Sequence, residues 1–170
     1  GFGSELTETK AMAIESYARN RGQAFLRFDY QGHGQSSGEF SDGTIGTWLS
    51  DSLAIVDTQT EGPQILIGSS MGGWLTLLTA LQRPERIEAL IGIASAPDFT
   101  EDLMWAKFDE VTKNTLLRDE IYYEPTEYDE RPYTITLPLI EDGRNHLVLR
   151  DKLGINVPIR LLHGMSDADV

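Results

Sequence analysis

The stretch Gly68-Ser69-Ser70-Met71-Gly72-Gly73 could do chemistry most directly. It fits G-x-S-x-G, a pattern that presents a serine hydroxyl at a sharp turn from a strand into a helix. A hydroxyl held there is open to substrate and can attack a carbonyl carbon. Gly68 and Gly72 are expected to let neighbouring backbone approach without a Cβ clash. Ser70 then stands at a helix N-terminus. The backbone N–H of Met71 faces the oxygen that would take up negative charge, and the helix dipole adds to the effect. Ser69 is the rival nucleophile, but it falls one residue early and would face the turn. The plain alternative is a glycine-rich turn with no chemistry.

A hydroxyl is a weak nucleophile. It needs a base, and a carboxylate to hold that base in the right tautomer. Where a serine at such a turn is used, the chain order is serine, acid, histidine. Asp167, in the loop Gly164-Met165-Ser166-Asp167-Ala168-Asp169 after a late strand, is the expected acid, with Asp169 as the alternative. All three histidines, His33, His146 and His163, precede Asp167. A structural or surface role is expected of each, so the base is expected beyond Val170. The polypeptide as written would then lack full activity. The second amide of an oxyanion hole is expected from Gly1-Phe2-Gly3-Ser4, as the N–H of Phe2.

Elements of suitable type surround these residues. A helix capped by Ser4 is expected to carry Ala11, Ile14, Tyr17 and Ala18 and to end at Gly22. Ala24 to Phe28 reads as a strand, and Thr44 to Thr58 as a helix turning Trp48, Leu49, Leu53 and Val56 inward. Gln64 to Gly68 reads as a buried parallel strand. A helix follows Ser70 until Arg83-Pro84, and Ile87 to Ala94 is the next buried strand. This alternation implies an α/β class, a doubly wound and mostly parallel sheet. The pattern breaks over residues 97–152, which are polar and aromatic. Six acids lie between Asp119 and Glu130, and four of the six tyrosines between Tyr122 and Tyr133. No clean strand is expected there, only a helix from about Leu139 to Leu153. We read 97–152 as a cap inserted into one partial domain, 1–170. Trp105, Phe108, Tyr122 and Tyr123 would shape an acyl pocket or simply pack. Val157 to Leu162 is one more buried strand.

Net charge is −13, from 27 acidic and 14 basic residues. Such a surface argues against nucleic acid and anionic membranes as partners. With no cysteine, disulfides and thiolate metal sites are excluded. No apolar run approaches the ~20 residues of a membrane span. These features lead us to expect a cytoplasmic protein acting on small molecules.

Gly62-Pro63-Gln64-Ile65-Leu66 with Gly68-Ser-Ser-Met-Gly-Gly-Trp74 resembles one branch of the α/β-hydrolase fold. That branch includes the mitochondrial palmitoyl-protein thioesterase and acyl-glucuronide esterase. Thr9-Lys10-Ala11, Arg27-Phe28-Asp29-Tyr30 and Pro158 to Met165 resemble it too, in the same order. The resemblance implies a bacterial relative truncated at both ends, its last strand and helix missing. It implies a triad of Ser70, Asp167 and a histidine beyond Val170, and hydrolysis of esters or thioesters without metal or cofactor. Three other readings remain open. One is a non-catalytic binding module of the same fold. Another is a peptidase or lipase using the same triad. The third is a nucleotide-binding domain using Gly32-His33-Gly34, whose glycine spacing to Gly38 does not suit G-x-G-x-x-G.

Overall fold

The computed structural model describes residues 2–125 and 132–167. Its main sheet has three parallel strands in the order β1 (Gln64–Ser69), β2 (Ile87–Ile93), β5 (Ile159–Leu162). Ser69 pairs with Ile93, and Ile93 with Leu162, so the carboxyl ends of all three strands lie level. Parallel strands need a crossover connection. Between β1 and β2 it is helix α3 (Met71–Gln82), stopped as expected at Arg83-Pro84.

Helix α2 (Ile45–Gln59) packs on α3 and begins where its sequence predicts. Thr44 is its N-cap, the hydroxyl accepting from Thr47 N–H at 3.2 Å. Thr44→Ala is expected to cost about 1 kcal/mol. In a thermal melt that is a drop of about 2–4 °C. The core between these helices holds Ile45, Trp48, Leu49, Met71, Trp74 and Leu75. Both indoles are wholly buried, and each finds an acceptor: Trp48 Nε1 donates to Gln31 O, and Trp74 Nε1 to His146 O, both at 3.0 Å.

Helix α1 (Thr9–Asn20) starts later than expected, with Glu8 rather than Ser4 at its N-cap. Its end is as read, with Gly22 at φ 64°. Ala24 to Phe28 joins no strand ladder, and Phe25 and Leu26 are exposed. A ladder requires a neighbour about 4.8 Å away. Here β1 lies across a cleft of about 920 Å³ that both segments line. The same cleft explains a second departure. β1 is not buried throughout: Ile65 is 49% and Ile67 37% exposed along it. β5 also departs from a buried strand, because it is the outer strand of the described sheet; Leu161 is 71% exposed.

Between β2 and β5 the chain forms a π-helical turn (Thr100–Trp105), α4 (Glu110–Asp119), an antiparallel pair β3 (Ile121–Glu124) and β4 (Tyr133–Thr136), and α5 (Leu137–Gly143). The paired strands replace the strandless stretch that was expected. The expected helix to Leu153 is shorter, ending at Gly143 and a 3₁₀ turn. Trp105, Phe108 and Tyr122 pack against a small separate core of Leu116, Ile135 and Ile140, whereas Tyr123 is exposed.

One buried carboxylate joins the two ends of the segment between β2 and β5. Asp98, fully buried at φ 58°, accepts from Val148 N–H at 2.8 Å and Leu149 N–H at 2.9 Å. Arg150 lies 3.5 Å from Asp98 and makes a two-pronged contact with Asp102.

Candidate active site

Ser70 is the residue between the end of β1 and the start of α3. Its backbone stands at φ 53°, ψ −122°. A side chain with a Cβ is strained there, by roughly 1–3 kcal/mol. Three backbone hydrogen bonds hold it. Ser70 N–H donates to Ile93 O at 3.0 Å, and Ser70 O accepts from Gly73 N–H at 2.8 Å and Ala96 N–H at 3.2 Å. The turn is thereby tied to the end of β2 and the loop after it. Ser70 is only partly buried.

The glycines of the turn divide their work differently from the expectation. A Cβ on Gly68 would lie 2.1 Å from Gly72 O, so Gly68 admits the first turn of α3. A Cβ on Gly73 would lie 2.3 Å from Ser95 Oγ. A Cβ on Gly72 would meet nothing within 4 Å, so Gly72 is not required for close approach. The rival hydroxyl is engaged elsewhere: Ser69 Oγ accepts from Lys10 Nζ at 2.9 Å.

Met71 is the first residue of α3, so its N–H has no intrahelical carbonyl to reach. Its side chain is fully buried in the core and fixes that end of the helix. The Phe2 ring sits edge-on to Phe40 at 4.9 Å, Phe99 at 5.6 Å and Trp48 at 6.0 Å. Phe99 follows β2 and in turn meets Trp74 of α3 at 5.7 Å. The Phe2 loop is therefore anchored in the core beside α3.

Asp167 follows β5 through a turn closed by its own N–H on Gly164 O at 3.1 Å. β5 runs parallel to β1, so Asp167 emerges from the same carboxyl edge as Ser70, two strand spacings away, or about 10 Å between strand axes. Asp169 lies outside the described residues. Among the described residues, no histidine nitrogen bonds to Ser70. His33 is buried among aromatic rings. His146 Nε2 lies 3.6 Å from Asp142 Oδ1. His163 follows the end of β5, two strands away. No group of three or more potential ligands among the described residues could hold a metal ion. Nor is any helix there long and apolar enough to cross a membrane.

A strand, a strained serine, a helix and a parallel neighbour, in that order, form a recognisable frame. A family model described as "Serine aminopeptidase, S33" (Hydrolase_4) matches residues 9–125. This chain belongs to that family of α/β-hydrolases. Human mitochondrial palmitoyl-protein thioesterase ABHD10 is 40% identical over 98% of this chain and 55% of its own length. The chain thus spans about half the length of that curated relative. Among solved structures, a candidate hydrolase from Agrobacterium vitis S4 superposes with a TM-score of 0.95 at 38% identity, over 100% of this chain and 67% of that one. Mouse α/β-hydrolase domain-containing protein 10 superposes at 0.90 and 39%, over 100% and 68%. The α/β-hydrolase fold was expected from the motif and the alternation of elements. What the sequence did not disclose is the use of His33 and Asp29, which grip the loop carrying Phe2. The flanking Gly32 and Gly34 are the signal that could have drawn attention to it.

Proposed function

We propose that this α/β-hydrolase cleaves small carboxylic esters or thioesters through an acyl-enzyme on Ser70. The observation that carries the reading is the strained serine at the β1–α3 turn. Backbone strain of this kind clusters at active sites, where it presents a reacting group. The family and the thioesterase relative support the reaction class.

In the first step Ser70 Oγ attacks the substrate carbonyl while a base takes its proton. The N–H groups of Met71 and Phe2 hold the oxyanion. The carbonyl–heteroatom bond then breaks, and the alcohol or thiol leaves with that proton. Water adds to the acyl-enzyme by the same route and releases the acid and free Ser70. Asp167 orients the base. Each histidine of the chain is engaged or distant, so we assign the base to a residue outside 1–170. We read residues 97–152 as a cap over the sheet edge. The cytoplasm is the proposed location, resting on the lack of cysteine, and cell fractionation checks it.

A fluorophosphonate probe tests this on the whole protein. Mass spectrometry should place one adduct on Ser70, and Ser70→Ala should take up none. Asp167→Asn should lower turnover about 10⁴-fold, while Asp169→Asn leaves it nearly unchanged. Equal labelling of Ser70→Ala would refute the mechanism, and a loss confined to Asp169→Asn would move the acid to that position.

A further inference from the structure

Beyond the proposed nucleophile, acid and amides, a buried imidazole hydrogen-bonds the Phe2 loop. His33 is 3% exposed. Its ring lies edge-on to Tyr30 at 5.8 Å, Phe40 at 5.1 Å and Trp48 at 5.2 Å. Both ring nitrogens are used. Nδ1 lies 3.2 Å from Gln31 O, which can only accept, so Nδ1 carries the proton. Nε2 is left with a lone pair and accepts from Gly3 N–H at 3.3 Å. Gly3 is the residue after Phe2, and it turns at φ 70°.

The acceptor is itself braced. Gln31 O also takes the Trp48 indole N–H at 3.0 Å, and Gln31 N–H donates to Asp51 at 2.8 Å. From the same loop Asp29 accepts from Leu6 N–H at 2.6 Å and from Gln35 N–H at 3.2 Å. Gly34 permits this, since a Cβ there would lie 2.2 Å from the Asp29 carboxylate. Residues 29–35 therefore hold the segment from Gly3 to Leu6 at two points.

We propose that neutral His33 is a positioning residue for the oxyanion hole, setting the Phe2 N–H toward Ser70 through its bond to Gly3. The inference rests on the reading of Ser70 as nucleophile. His33 touches no substrate; it acts through one backbone amide. An oxyanion donor works only where it already points at the developing charge, and a displacement of about 1 Å can cost ~10²-fold in rate. Burial lowers the proton affinity of the ring, in keeping with an accepting Nε2; the Gln31 carbonyl, Asp29 and Asp51 act in the opposite sense.

The test compares three variants of the whole protein, after wild-type turnover and its loss in Ser70→Ala have established the nucleophile. His33→Phe keeps a ring in the aromatic nest but has no acceptor. His33→Asn reaches only the Nδ1 position. His33→Gln can place an amide oxygen where Nε2 was. We expect kcat to fall roughly 10–100-fold in His33→Phe and His33→Asn with KM little changed, and to recover to within a few-fold in His33→Gln. Inhibition by a trifluoromethyl ketone, which forms a hemiketal alkoxide on Ser70, should weaken by the same factor as kcat. Unchanged kcat in His33→Phe would overturn the proposal. So would a His33→Gln variant that melts like wild type yet loses as much as His33→Phe, or ketone affinity that stays put while kcat falls.

Discussion

Ser70→Gly is expected to abolish turnover and yet melt a few degrees above the parent protein. Ser70→Ala is expected to lose as much activity and melt where the parent does. The activity loss, about 10⁴–10⁶-fold, follows from removing the attacking atom. The stability difference follows from the backbone. At φ 53°, ψ −122° a Cβ is strained, and alanine keeps that Cβ where glycine does not. Glycine relieves roughly 1–3 kcal/mol of strain and costs back about 0.5–1 kcal/mol in unfolded-chain entropy. The remainder, centred at about 1.25 kcal/mol, corresponds to a shift of about 2.5–5 °C for a chain of this size. Thermal melts of the three proteins, read beside initial rates on one ester, decide it. A glycine variant melting no higher than the alanine one would show that position 70 stores no strain.

Gly68→Ala is the second large effect, and it should damage stability and rate together. The new methyl would lie 2.1 Å from Gly72 O, 2.4 Å from Gly72 C and 2.6 Å from Gly73 N. These are backbone atoms in the first turn of α3, so no side chain can swing aside. The helix start must retreat by about 1 Å, taking the Met71 amide with it. Overpacking of this kind costs about 1–3 kcal/mol, and a displaced donor costs ~10²-fold in kcat. Gly72→Ala is the control. Its methyl meets nothing within 4 Å, and alanine favours a helix by about 0.5–1 kcal/mol over glycine. A melting temperature for Gly68→Ala equal to that of Gly72→Ala would contradict the packing seen at the turn.

Local signals served the sequence reading well. The start of α2 beside Thr44, the stop at Arg83-Pro84, the turn at Gly22 and the strand–serine–helix order each depend on a few neighbouring residues. Each was found where it was expected. Features that depend on distant neighbours were not readable. Ala24 to Phe28 has strand-forming residues, but pairing requires a strand beside it, and composition does not say whether one is there. Burial of β1 and β5 failed for the same reason: an apolar run records what could be covered, not what covers it. β3 and β4 are four residues each among acids and tyrosines, too short for a period of two to stand out. His33 looked like a loop residue because its two partners are backbone groups, which leave no trace in side-chain pattern.

The Asp98 junction has an evolutionary consequence. It fastens the roots of a fifty-residue excursion to each other at one place. Chain between the roots can then be shortened, extended or swapped with little change in loop-closure entropy, which grows only slowly with length. Selection could remodel this excursion while the strained serine and its strands stay untouched, and a laboratory graft made at 98 and 148 would exploit the same seam.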